Sequence, residues 1–314
     1  MGGGPRALIA KRRPAANAWL TKRMDYRHLL AVGAALVWSL GSVGQAGAAE
    51  EGKGAACNRS AFKAVIDVGH TPQVPGAKSA RGVGEYEFNL RLATLIKDKL
   101  VERGFSNTVL LVTEGRKYQS LNQRVARANK LAPDLFLSIH HDAVPDSFLQ
   151  KWEFGGKQRG YSDRFKGHSI FVSSNNGHFK TSLSFAKLLG HEMKAQGLQY
   201  TPHYTEKIMG RWKRELIDPE TGVYHHDKLI VLKDTHMPAV LLEAGSIINR
   251  DEELQMASPE RQSLISAAVV DAMDAFCGAR QPHDPELSAR GKPSSAHKKL
   301  PSAASVAPAR TPPQ

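Results

Sequence analysis

Four short stretches of the 314-residue chain hold side chains able to do chemistry. The first is Ile66-Asp67-Val68-Gly69-His70, a histidine closing an apolar run. The second is Gly82-Val83-Gly84-Glu85-Tyr86-Glu87-Phe88-Asn89, where glycines place acids at the mouth of a helix. The third is Leu137-Ser138-Ile139-His140-His141-Asp142-Ala143, again a histidine at the end of an apolar run. The fourth is Val240-Leu241-Leu242-Glu243-Ala244-Gly245, a carboxylate ending a strongly apolar one. Two histidines and one carboxylate make a three-ligand set for Zn2+ with a fourth position left for water. Zinc brings the pKa of that water to about 7, and a second carboxylate can take its proton and hand it to a leaving amine. The chemistry needs one acid that binds and one that stays free, and Glu85 and Glu243 fit the two roles. A histidine at a strand end is commonly just a hydrogen-bonded structural residue. The weight here comes from coincidence, because all four stretches end apolar runs or open a helix and can converge on one sheet edge. A polar residue closing a run as apolar as 239–242 also asks for a reason.

The elements that must position these residues read as an α/β alternation. Residues 62–68 form a β-rich run ending in Gly69-His70. Phe88, Leu92, Leu95 and Ile96 then recur at helical spacing up to Gly104. Strands are predicted at 108–112, 134–139, 169–173, 229–232 and 239–242. Helices are predicted at 121–131, with Ser120 as N-cap, and at 182–196. Ser258-Pro259-Glu260 opens a last helix with a cap, a proline at the first helical position and an acid in the first turn. Continuous apolar strands separated by helices predict a single α/β domain at 61–278, its sheet largely parallel and twisted, with helices on both faces.

The set DVGH, GEYEFN, SIHHDA and MPAVLLEAGSI resembles the zinc-dependent N-acetylmuramoyl-L-alanine amidase family, the cell-wall amidases of type 3. The likeness spans roughly residues 62–277 and includes the helix carrying Arg124 to Asn129. It implies an enzyme that cuts the amide between N-acetylmuramic acid and L-alanine in peptidoglycan. It implies His70, Glu85 and His140 as zinc ligands and Glu243 as the catalytic acid/base. The spacing from Glu85 to Asn89 matches the family's acid-to-asparagine spacing and selects Glu85 over Glu87. His141 stands where the family usually carries a small residue, and strand alternation turns it to the opposite face. His225-His226-Asp227 reads as a polar loop beside Gly222 rather than a second metal site. The family's Thr-Arg pair is broken here, since Thr113 is followed by Glu114-Gly115-Arg116. Two stretches, 144–167 and 199–227, are longer than the pattern leads one to expect. The second carries Tyr200, Tyr204, Trp212 and Tyr224 among basic groups, a composition suited to sugar faces and anionic peptides. Only Ser174 to Thr181 separate the fourth strand from the next helix, where regulated relatives carry a long autoinhibitory helix. No such plug is expected, and any control should come from the 144–167 insert.

The remainder of the chain reads as address and tether. Basic residues precede an apolar run at 28–45, and Ala46-Gly47-Ala48 follows as a cleavage pattern. The strongly apolar part, 29–40, is shorter than the ~20 residues a spanning helix needs. Residues 1–48 are therefore expected to be a signal peptide, with Met24 as a second candidate start. The mature chain should be periplasmic or secreted, with no membrane span after cleavage. The formal net charge is +13, of which residues 1–48 carry six, leaving +7. A basic surface suits an anionic polymer, and no nucleic-acid motif accompanies it. Residues 49–60 form a short linker, and 279–314 a Pro/Ala/Ser/Lys tail too poor in apolar groups to fold. The two cysteines, Cys57 and Cys277, bracket the folded region, and the sequence leaves open a disulfide or two free thiols. Two other readings compete: a zinc peptidase on the same scaffold, and a non-catalytic wall-binding or activator protein. Whether an activator protein takes part is likewise open.

Overall fold

The computed structural model describes residues 57–280. The expected signal peptide, most of the linker and nearly all of the tail lie outside the described residues. The elements follow in order as β1 (Ala64–Val68), α1 (Glu85–Glu102), β2 (Val109–Leu111), α2 (Lys117–Leu131) and β3 (Leu135–Asp142). Next come β4 (Gln150–Phe154), β5 (Lys157–Tyr161), β6 (Ser169–Val172), α3 (Phe179–Ala195), β7 (Leu216–Asp218) and β8 (Val223–His225). The chain closes with α4 (Ile230–Lys233), β9 (Ala239–Ser246), α5 (Arg250–Ala257) and α6 (Pro259–Ala279).

Seven strands form one sheet in the order β2-β1-β3-β9-β6-β8-β7. The pairs β1–β2, β1–β3, β3–β9 and β6–β8 are parallel, and β6–β9 and β7–β8 are antiparallel. The sheet is thus largely parallel, as expected. Alternation along each strand divides the core between its two faces. Ile66, Val68, Leu137, Ile139, Val240 and Leu242 pack with α1, α3 and α6. Val65, Phe136, Phe171 and Leu241 pack on the other side with Ala128 of α2 and with Val231 and Leu232 of α4. Both faces are covered, which is why the central strands read as unbroken apolar runs.

The two cysteines are joined: Cys57 and Cys277 form a disulfide across 220 residues, tying the start of the domain to the last turn of α6. In the chain-entropy view, closing a loop of that length stabilises the fold by roughly 5 kcal/mol. Ser258 caps α6 as its sequence implied, its Oγ accepting from the Arg261 amide at 3.2 Å.

The structure corrects several local expectations. Residues 229–232 are not a strand; Ile230–Lys233 is the short helix α4. Ser120 is not a cap, because α2 begins at Lys117 and Ser120 sits inside it, bonded to the Lys117 carbonyl at 2.9 Å. The 144–167 insert contains an antiparallel hairpin, β4–β5. The 199–227 stretch holds two 3-10 segments, His203–Thr205 and Lys207–Trp212, and the β7–β8 pair. Between β6 and α3 runs a short turn, and Asn176 within it bonds to the Leu232 carbonyl at 2.6 Å and to that of Met237 at 3.2 Å.

Candidate active site

Parallel pairing of β1, β3 and β9 brings the ends of three strands side by side. Register alone sets Glu243 of β9 opposite His140 of β3. His70 follows β1 after one glycine, Gly69, with φ of +65°, a left-handed conformation uncommon for a residue with a side chain. Glu85 is the first residue of α1, where the helix dipole favours an anion. The three donors meet. His70 Nε2 lies 2.8 Å from Glu85 Oε2, and His140 Nδ1 lies 2.9 Å from Glu85 Oε1. The candidate ligand atoms of His70, Glu85 and His140 all fall within 4.8 Å of one another, the one such cluster among the described residues.

Two glycines permit this approach. A Cβ on Gly69 would lie 2.5 Å from the His140 ring. A Cβ on Gly76, which also has φ of +77°, would lie 2.4 Å from Glu85 Oε2 and 2.6 Å from the His70 ring. Any larger residue at either position would push the cluster apart. Two nitrogen donors, one carboxylate and a close cradle together fit a small divalent cation of zinc's preferences.

Further side chains brace the cluster. Asn89, one turn along α1, donates from Nδ2 to Glu85 Oε1 at 3.1 Å and to the Gly69 carbonyl at 3.2 Å. Its Oδ1 accepts from His141 Nδ1 at 2.8 Å. His141 therefore faces away from the cluster, as alternation predicted, and burial holds its ring neutral with a pKa of about 3. Arg124, buried at 2 % exposure, donates to Thr113 Oγ1 at 3.0 Å and to the His70 carbonyl. It also faces Asp67 Oδ1 at 3.5 Å, while Asp67 Oδ2 accepts from Ser138 at 2.7 Å. Thr113 Oγ1 thus accepts from Arg124 of α2, while Arg116 directly precedes that helix. The sequence signal was there in the Arg124 helix, but nothing local linked it to His70.

Burial opposes ionisation of Glu85, yet the hydrogen bonds from His140 and His70 outweigh it and hold the carboxyl well below its usual range. Burial also lowers the His140 pKa, against the pull of Glu85. An ionised Glu85 beside a neutral His140 is the protonation state that metal binding requires. Glu243 behaves in the opposite way. Burial, then the charges of Asp142 and Glu85, push its carboxyl well above the usual range, and its Oε2 is buried without a hydrogen-bond partner among the described residues. A buried carboxylate oxygen left unpaired is costly and marks a group kept for a task.

His70, His140 and Glu243 line two clefts at once. One, about 420 Å³, runs between α2 and α4 past Tyr118, Leu121 and Arg124. The other, about 330 Å³, runs past Asp142, Tyr204, Trp212, Arg214 and His226. A larger cavity of about 520 Å³ near Asp163, Glu252 and Arg261 contains none of these residues. Sequence reasoning missed Asp142. Tyr204 donates to its Oδ1 at 2.7 Å, and burial, opposed by that bond, pushes the Asp142 pKa up to about 7. His225 pairs instead with Glu215 at 3.1 Å, and Asp227 accepts from the Ser174 amide at 2.7 Å, so neither joins a metal cluster.

Residues 64–275 match the Amidase_3 family model, N-acetylmuramoyl-L-alanine amidase. The chain belongs to that family. It is therefore an enzyme of this class, an amidase of peptidoglycan. AmiA of Escherichia coli K12, an N-acetylmuramoyl-L-alanine amidase, is 23% identical over 237 residues, covering 68% of this chain and 75% of that protein. The YqiI protein of Bacillus subtilis 168 is 26% identical over 254 residues, covering 81% and 98%. The crystal structure of the Mycobacterium smegmatis amidase Ami1 superposes with a TM-score of 0.54 at 19% identity, over 71% of this chain and all of that one, a likeness of fold. The amidase thus carries its His-Glu-His cluster and Glu243 on a scaffold shared by relatives of low identity.

Proposed function

We propose that the amidase hydrolyses the bond between the lactyl group of N-acetylmuramic acid and L-alanine, with zinc held by His70, Glu85 and His140 and with Glu243 as general acid/base. One observation carries this reading: Glu243, whose Oε2 is buried without a partner among the described residues, stands in register with His140, beside donors that close on one another. Bound zinc supplies Lewis acidity at a carbonyl and lowers the pKa of water to about 7.

The chain's own residues do the rest. His70 and His140 would offer ring nitrogens to the metal and Glu85 an ionised carboxylate. Asn89 and Arg124 fix the Glu85 carboxylate and the His70 backbone, which preorganises the donors. Glu243, its pKa raised, takes a proton from the attacking water and returns it to the alanine nitrogen as the bond breaks. The two clefts that meet at these residues give the substrate a path to either side, one against Tyr118 and Leu121, the other against Tyr204 and Trp212. Export to the periplasm or beyond, by the signal at 1–48, brings the enzyme to its polymer.

Digestion of purified peptidoglycan by the 49–314 chain, with zinc and with chelator, tests this reading by mass spectrometry of the products. Free stem peptides beginning at L-alanine are expected, and only with zinc. Cleavage within the stem would instead make the chain a peptidase. Absence of cleavage by zinc-loaded protein would contradict an autonomous amidase and favour a binding role.

A further inference from the structure

Beyond Trp212 the second cleft opens into a cavity of about 490 Å³. Trp212, Arg214 and His226 line both, and Lys228 lines both this cavity and the first cleft. The walls are strongly basic, with Arg211, Lys213, Arg214 and Lys228 all contributing. Two acids also line it, and both are committed: Glu215 to His225 at 3.1 Å, and Asp227 to Ser173 and Ser174. None of the four cations forms an ion pair among the described residues, although eighteen such pairs occur elsewhere in this part of the chain.

Arg214 is the best placed of the four. It is half-buried, and its position is fixed by its own amide, which donates to the Tyr204 carbonyl at 2.8 Å. Nη1 donates to the Lys213 carbonyl at 2.9 Å. Nη2 lies 3.2 Å from His226 Nε2, which must accept, since guanidinium has only donors. Nε is buried with no partner among the described residues. A half-buried guanidinium held in place, with one donor unused and no ion-pair partner among the described residues, is suited to receive a planar anion.

Resting on the amidase reading above, we propose that Arg214, supported by Lys228, is a specificity determinant that binds a side-chain or terminal carboxylate of the stem peptide. The site would then distinguish stems with free carboxylates from stems in which these are amidated. The position lies in the extended 199–227 stretch, so this preference belongs to this chain's own elaboration of the fold. The ion pair forms against a partly desolvated wall, so it should weaken but persist as salt rises.

The test compares two zinc-supplemented disaccharide-peptide substrates, one with free stem carboxylates and one amidated, on the full mature chain. Wild type should prefer the free form by about 10-fold in kcat/KM, the effect of one charge-assisted hydrogen-bonded contact. Arg214→Gln should collapse the preference to about 2-fold, mainly through KM of the free-carboxylate substrate, and Arg214→Lys should restore part of it. Lys228→Gln, whose side chain makes no hydrogen bond among the described residues, should give a smaller loss of preference and carries the test if the Arg214 variants do not fold. Equal cleavage of both substrates by wild type would overturn the proposal. So would an Arg214→Gln variant that loses activity on both in equal proportion, which would make Arg214 a brace for residues 211–213. Cleavage of neither substrate by zinc-loaded wild type would instead strike the parent reading.

Discussion

The two walls of the catalytic cleft differ in how completely their glutamate carboxyls are hydrogen-bonded. On the β1–α1–β3 wall, each oxygen of Glu85 is engaged: Oε1 by His140, Asn89 and the His141 amide, Oε2 by His70 and the Ala77 amide. On the wall formed by β9 and residues 199–229, Glu243 Oε2 and Arg214 Nε are buried without partners among the described residues. On the first wall the Glu85 carboxylate is fully hydrogen-bonded within the protein, although Asp67 Oδ1 and Asp142 Oδ2 on the same strands are buried without partners among the described residues. The second presents unspent hydrogen-bonding capacity to whatever enters the cleft. On the proposed function, holding and reacting would thus fall to different elements of one sheet edge.

The contrast predicts where damage falls. His140→Ala breaks the holding wall, so cleavage of peptidoglycan should become undetectable and bound zinc should drop well below one per chain, read by metal analysis of dialysed protein. If zinc is retained in full, the donor set is wrong. Arg124→Met comes next in size. It leaves buried Asp67 without its cation and frees the His70 backbone, which should cost about 3 kcal/mol of stability and lower kcat by roughly 10-fold or more through misplacement of His70. Chemical denaturation and steady-state rates on the same preparation check both, and an Arg124→Met variant with wild-type stability would refute the brace.

The smallest effect is one of pH. Burial, with Arg164 and Arg214 respectively as the neighbouring charges, lowers the pKa values of His203 and His226 to about 4. An unfolded histidine titrates near 6.5. Between those values the unfolded chain binds more protons, so stability is present above about 6.5 and is lost as the pH falls towards 4. Hydrogen exchange at residues 199–229 should therefore quicken over that window, and β3 should loosen with it, because buried His141, with a pKa of about 3, obeys the same linkage. Exchange at residues 199–229 that stays constant from pH 6.5 to 4 would contradict the burial of these rings in the neutral form.

The same contrast explains what could be read in advance. The holding wall was legible because its signals are local. Gly69-His70 follows the apolar run of β1, His140 ends the apolar run within β3, and Glu85 and Asn89 sit one helical turn apart. Ser258-Pro259 announced α6 for the same reason, since cap chemistry acts within three residues. The reacting wall was legible only at Glu243. The Tyr204–Asp142 bond spans 62 positions, and the salient fact about Arg214 is the absence of an acid near it in space. Neither leaves a pattern along the chain. Residues 229–232 were misread because four apolar residues are too few to distinguish a strand from a helical turn; α4 buries Val231 and Leu232 and leaves Ile230 partly exposed. The β4–β5 hairpin escaped notice because Lys, Gln, Arg and Gly blur its alternation, although Gly155-Gly156 marks its turn, both with positive φ.

The division of labour between the walls is tested most directly by Glu243→Gln, with zinc content and peptidoglycan cleavage measured on the same preparation. We expect zinc content equal to wild type, because Glu243 lies outside the holding set, and cleavage reduced by about 10²- to 10⁴-fold, the usual contribution of a general acid/base. A variant that loses its metal, or one that cleaves at the wild-type rate, would contradict the assignment of Glu243 as the free acid.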